Sequence, residues 1–192
     1  MKDYQDSVKR YLEEEIKIFN SLKPDEINNL INVIKETQNK GGHIYICGNG
    51  GSAATASHFC CDFNKGVSGN ETNNTNFICL SDNIATITAI ANDISYDEIF
   101  SYQLNSRLKE NDVLFVISGS GNSKNIVKAM EVAKEKGNQI IGLCGYDGGM
   151  VKKMSDLCIH INVNNMQIVE DIHMMLDHCM MYVLTHINWG NI

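Results

Sequence analysis

The stretch Gly48-Asn49-Gly50-Gly51-Ser52 constrains this chain more than any other, because of what lies on either side of it. Before it runs an apolar segment, His43-Ile44-Tyr45-Ile46-Cys47, whose bulky and β-branched residues suit a buried strand. After it comes an alanine-rich segment of high helix propensity, Ala53 to Phe63. A strand that turns on glycine into a helix N-terminus lets backbone approach a ligand closely. It also presents free N–H groups and the positive end of the helix dipole to an anion. Ser52 is placed to cap that helix and to donate to a phosphate oxygen. His58 and Asp62, four apart, share a helix face and form an acid/base or metal pair behind the cradle. Taken alone, the turn serves equally as a tight structural turn, and His58 as a structural histidine.

The same architecture recurs. Val113-Leu114-Phe115-Val116-Ile117 is a fully apolar strand, as expected at the centre of a parallel sheet. It runs into Ser118-Gly119-Ser120-Gly121-Asn122-Ser123 and then a helical segment, Lys124 to Lys136. Hydroxyls and backbone donors of this turn can converge on one phosphate, although a serine-rich capping turn looks the same in sequence.

The remaining chain alternates in the same way. Strands are expected at 77–80, 139–144 and 157–161, and helices from Asp82-Asn83 through Ile90, over 96–109, 148–155 and 166–188. Lys65 to Asn76 reads as a loop and Ala91-Asn92-Asp93 as a polar break. Two amphipathic helices precede the first strand, over 3–22 and from Pro24, more than an α/β core requires. This extension, residues 1–40, is expected to pack against a partner subunit. The alternation predicts an α/β fold, a parallel sheet with helices on both faces, with ligands at the carboxyl ends of its strands.

Bulk properties exclude several classes. One proline and no low-complexity sequence leave no linker, so residues 1–192 read as one domain. A net charge of -7 with no basic run argues against a nucleic-acid surface. No apolar run reaches transmembrane length. Seven cysteines without CxxC spacing read as reduced core thiols, which fits the cytoplasm.

The last helix, 166–188, carries a core stripe of Val169, Ile172, Leu176, Cys179 and Val183. Gln167, Glu170, Met174 and His178 form another stripe, with Asp171, His173 and Asp177 beside it. So many titratable groups mark either a site or a solvated face.

Gly48-Asn49-Gly50-Gly51-Ser52 with His58, Asn92-Asp93, the Ser118–Ser123 turn and the histidine-bearing last helix together resemble the sugar isomerase (SIS) domain. Within it they are similar to the phosphoheptose isomerases, over essentially the whole chain. The resemblance implies a three-layer αβα fold with a five-stranded parallel sheet, a homotetramer, and active sites at subunit interfaces. It implies conversion of sedoheptulose 7-phosphate to D-glycero-D-manno-heptose 7-phosphate, in the making of nucleotide-activated heptose for surface polysaccharide. By similarity Ser118, Gly119, Ser120 and Ser123 hold the phosphate, with Ser52, while Asn49, Gly50, Gly51, Asn92 and Asp93 line the sugar.

Many members of that family bind zinc through two histidines, a glutamate and a glutamine. His58 and His178 match the histidines, but Asp62 stands at the glutamate position and Glu170 at the glutamine position. His58, Asp62, Glu170 and His178 are a sound donor set for zinc or another divalent ion. Isomerisation needs a base for the proton beside the carbonyl, stabilisation of the enediolate, and an acid to return the proton. His178, Glu170 and Asp62 are the candidates. The two departures leave open an isomerase of another ketose phosphate, or a non-enzymatic SIS protein that binds sugar phosphate or a replication initiator.

Overall fold

The computed structural model describes residues 2–67 and 76–186. Helices α1 (Gln5–Phe19) and α2 (Pro24–Asn39) lead into β1 (Ile44–Gly48) and α3 (Gly51–Cys61), which passes into a wide π turn, Asp62–Val67. Then follow β2 (Phe77–Cys79), α4 (Ile84–Asp93), α5 (Ser101–Arg107), β3 (Val113–Ser118) and α6 (Lys124–Glu135). The chain closes with β4 (Gln139–Cys144), α7 (Gly149–Met154), β5 (Leu157–His160) and α8 (Met166–His186).

The strands form one five-stranded sheet in the order β2-β1-β3-β4-β5, every pairing parallel. Alternate residues of a strand face opposite sides, and here both sides are covered. Ile44, Ile46, Val113, Phe115 and Ile117 pack with Leu30, Phe59, Val169, Ile172 and Leu176 from α2, α3 and α8. Tyr45, Cys47, Leu114 and Val116 pack with Ile90, Leu104, Ile126 and Val151 from α4 to α7. The three-layer α/β expectation holds. β1 connects outward to β2 while its other neighbour is β3, so the order reverses between β1 and β3. That reversal opens a crevice at the strands' carboxyl ends, where both glycine- and serine-rich turns fall.

Several local expectations change. Ser52 does not cap α3: Gly50 occupies the cap position at φ 56°, and no side chain bonds there. Ser52 is buried within the first turn instead. Asn92 and Asp93 finish α4 rather than break it, because the Asn83 side chain accepts from Thr86 N–H at 2.9 Å and the helix runs on from that cap. The single helix expected over 96–109 is divided. Ser95 Oγ accepts from Asp97 N–H and starts a short 3₁₀ turn at Tyr96–Glu98, and α5 begins only at Ser101. The expected loop from Lys65 begins inside the π turn, while 68–75 and the last expected residues of α8 lie outside the described residues.

Helix α1 buries no residue. Tyr4, Val8, Leu12 and Ile16 are 59%, 56%, 51% and 60% exposed, so its apolar stripe points away from the sheet. Among the described residues the seven cysteines are free, and no helix is long and apolar enough to cross a membrane.

Candidate active site

Two polar sites are built around α8. The first is the crevice between β1 and β3, where Gly48 pairs in register with Ile117. Asn49, Ser52, Ile117, Ser118, Gly119, Ser120, Ser123, Met166 and Glu170 enclose a cleft of about 190 Å³. Gly48 is a steric requirement here: a Cβ on it would stand 2.4 Å from the backbone oxygen of Ser52, whereas one on Gly119 would meet the movable end of Met166, with Sδ at 2.3 Å. Turning so tightly leaves the polar groups of both turns at the cleft. Ser118 Oγ accepts from Gly121 N–H at 3.2 Å, and Ser120 Oγ from Asn122 N–H at 3.3 Å, so both hydroxyls remain free to donate.

Asn49 is fixed by three hydrogen bonds. Its amide N–H donates to Asn125 Oδ1 at 2.9 Å, while its Oδ1 accepts from Asn125 Nδ2 at 2.8 Å and from the Tyr96 hydroxyl at 2.9 Å. Asn125 is itself buried at the start of α6. Glu170 enters from α8, its carboxylate lying against the backbone of Gly51: a Cβ there would meet Oε2 at 2.4 Å and Oε1 at 2.6 Å.

The second site lies between α3 and α8. Ligand-capable atoms of His58, Asp62, Asp177 and His178 all fall within 4.8 Å of one another. His58 Nε2 is 3.1 Å from His178 Nε2, 3.6 Å from Asp62 Oδ2 and 3.8 Å from Asp177 Oδ2. The Asp177 side chain is wholly buried, and among the described residues neither oxygen has a hydrogen-bond partner. Loss of hydration raises its pKa to about 8, with Asp62 adding to the rise. One turn earlier, burial lowers the pKa of His173 to about 4, against a smaller opposing pull from the Cys144 backbone.

Residues 3–145 match the SIS domain family. The phosphoheptose isomerase of Helicobacter pylori (strain Shi470) is 38% identical over 148 residues, 77% of each chain. That of Rhodospirillum rubrum is 38% identical over 146 residues, 76% of this chain and 77% of the other. This chain belongs to the SIS-domain phosphoheptose isomerases. Its fold agrees with the phosphoheptose isomerase structure from Neisseria gonorrhoeae, at TM-score 0.87 and 28% identity, covering 95% of this chain and 98% of that one. The structure from Francisella tularensis gives TM-score 0.87 at 27% identity, covering 96% of this chain and all of the other.

Set against this isomerase family, the sequence-derived residues divide. Asn49, Ser52, Ser118, Gly119, Ser120, Ser123 and Glu170 meet in the cleft, with Gly51 beneath Glu170. Asn92 and Asp93 do not line it. They are exposed at the end of α4, Asn92 Nδ2 donating to Asp93 Oδ1 at 2.8 Å. His58, Asp62 and His178 meet in the second site, but the fourth member brought there is Asp177, not Glu170.

The donor set suits a divalent ion. A tetrahedral ion with bonds of 2.0–2.1 Å separates its ligand atoms by about 3.4 Å, and the spacings around His58 Nε2, 3.1 to 3.8 Å, bracket that edge. Unpartnered Asp177 oxygens supply the anionic ligands such an ion takes.

Three residues of these sites escaped the sequence reading. Asn125 and Tyr96 hold Asn49, and only the position of Asn125 just inside a helix hinted at it. Asp177 stands in sequence beside the Glu170 and His178 stripe, which reads as either a site or a solvated face. Its period did carry a signal: Val169, Ile172, His173, Leu176, Asp177 and Met180 are the buried face of α8, while Val183 is 37% exposed.

Proposed function

We propose that this chain is an aldose–ketose isomerase interconverting sedoheptulose 7-phosphate and D-glycero-D-manno-heptose 7-phosphate, for nucleotide-activated heptose and surface polysaccharide. The observation that carries the reading is the cleft itself, a hydroxyl-rich turn facing a glycine turn with one carboxylate, Glu170, laid against Gly51. The phosphate is bound by Ser52, Ser118, Ser120 and Ser123 and by backbone donors at the start of α6. Among the described residues no lysine or arginine lines the cleft, so hydroxyls, N–H groups and the helix dipole hold the dianion. Asn49, held by Asn125 and Tyr96, orients a sugar hydroxyl without reorganising.

Glu170 takes the proton from the carbon beside the carbonyl and returns it to the neighbouring carbon. His178, the exposed member of the second site, would exchange the oxygen-borne proton only while no ion holds its Nε2, and Asp62 orients His58. The second site takes zinc or another divalent ion, which when bound polarises carbonyl and hydroxyl oxygens and stabilises enediolate charge. The protein works in the cytoplasm as a homo-oligomer, a tetramer by family likeness. Residues 1–40 contribute to it through the uncovered stripe of α1, Val8, Leu12 and Ile16.

Nuclear magnetic resonance of purified protein with sedoheptulose 7-phosphate tests the reading, with fructose 6-phosphate run in parallel. The expected result is a heptose 7-phosphate aldose from the first alone. Conversion of the shorter sugar instead would assign an isomerase of another ketose phosphate, and binding without conversion of either would leave a sugar-phosphate-binding protein.

A further inference from the structure

Two carboxylates on α8 compete for one place in the second site. Glu170 lies in the cleft, against Gly51. Asp177 lies two turns further along, wholly buried, 3.8 Å from His58 Nε2, with both oxygens lacking a hydrogen-bond partner among the described residues. A buried carboxylate with no donor has lost its hydration and gained nothing in return, an arrangement proteins retain where a cation completes it. Asp177 is buried, His58 and Asp62 are half-buried and His178 is exposed, and one ligand-capable atom of each lies within 4.8 Å of the others.

We propose that Asp177 is the fourth protein ligand of this chain's divalent-metal site, with His58, Asp62 and His178, and that Glu170 is not a ligand and keeps its carboxylate in the sugar cleft. The assignment goes beyond the isomerase reading and rests on it only for what Glu170 does. Two neutral imidazoles and two carboxylates cancel the charge of a divalent ion and match the borderline preferences of zinc. Binding also satisfies Asp177, so metal and folded state support each other. Separating the two carboxylates lets one stay basic toward substrate, since a carboxylate bound to a cation is a poor proton acceptor.

The test is calorimetric titration of the full-length, metal-stripped protein with zinc in the absence of sugar. Wild type is expected to take one zinc per chain. Asp177→Asn, which keeps the side chain's volume, is expected to bind at least tenfold more weakly, and Glu170→Leu, which offers no ligand atom, to stay within threefold of wild type. Zinc is likewise expected to raise the melting temperature of wild type and Glu170→Leu, and to raise that of Asp177→Asn much less. Wild type that takes up no zinc, or Glu170→Leu losing zinc while Asp177→Asn retains it, would overturn the assignment. Should Asp177→Asn fail to fold, X-ray absorption of zinc-loaded Glu170→Leu decides: an unchanged set of four nitrogen and oxygen ligands supports the assignment, and a lost ligand overturns it. Zinc loading through Asp177 in a protein inert toward sedoheptulose 7-phosphate would remove the substrate reading and leave this one standing.

Discussion

The cleft and the His58 cluster share helix α8 yet differ in how far the protein satisfies its own polar groups. In the cleft, Asn49 has partners in Asn125 and Tyr96, and the turn serines accept from backbone N–H groups while keeping their own protons. In the cluster, Asp177 is buried with none. A site completed by internal bonds is shaped before its ligand arrives, and loses little on binding. A site with an unpartnered buried carboxyl, whose raised pKa favours the neutral form, would gain partners when a cation displaces that proton, and its stability would then depend on metal. One helix thus presents a pre-shaped face and an unsatisfied one.

Replacing Ser120 with Asp should break the cleft alone. A carboxylate beside a bound phosphate costs several kcal/mol, so KM for the sugar phosphate should rise about a hundredfold or more while zinc affinity holds. Steady-state kinetics and a zinc titration on the same sample check both halves. An equal loss of zinc would mean the two faces are not separate.

The buried face of α8 should show itself in acid. His173 titrates at about 4 in the folded chain against 6.5 when unfolded. Between those values the unfolded chain binds the proton and the folded chain does not, so the His173 contribution to stability falls as pH drops from 6.5 toward 4, while Asp177, with its pKa raised to about 8, contributes in the opposite direction. The loss approaches about 3 kcal/mol at the acid end. Denaturant melts of wild type and His173→Leu at pH 7 and pH 4.5 should show this difference shrinking in the variant.

A smaller effect sharpens the pre-organisation claim. Asn125→Leu removes the partner that holds Asn49 on two sides, and a neutral buried bond of this kind is worth about 1–3 kcal/mol when one partner is lost. The expected outcome is a drop of that size in stability and a rise in KM, read from melts and initial rates. Unchanged KM would mean that Asn49 does not meet the sugar.

What sequence disclosed follows the same divide. The cleft comes from two continuous segments, each a strand, a turn and a helix start, so local composition announced both and the parallel sheet placed them side by side. Contacts made from afar were not legible: Tyr96 reaching Asn49, and Glu170 reaching Gly51 across 119 residues of chain, depend on how α8 is rotated against the sheet. Asp177 was obscured for a physical reason, since a carboxylate on an apolar stripe is normally assigned to solvent, and only packing shows it inside. Ser52 failed as a cap because the chain turns at Gly50, whose φ of 56° suits glycine.

The central claim is that Glu170 acts on substrate while Asp177 serves the metal site. Deuterium entry at C2 of the heptose 7-phosphate product, followed in heavy water on zinc-loaded wild type and Glu170→Gln, tests it most directly. The account predicts ready incorporation by wild type, and incorporation slowed about 100- to 10,000-fold in Glu170→Gln at unchanged zinc content. Exchange at the wild-type rate in Glu170→Gln would contradict it and return the base to Asp62 or His178.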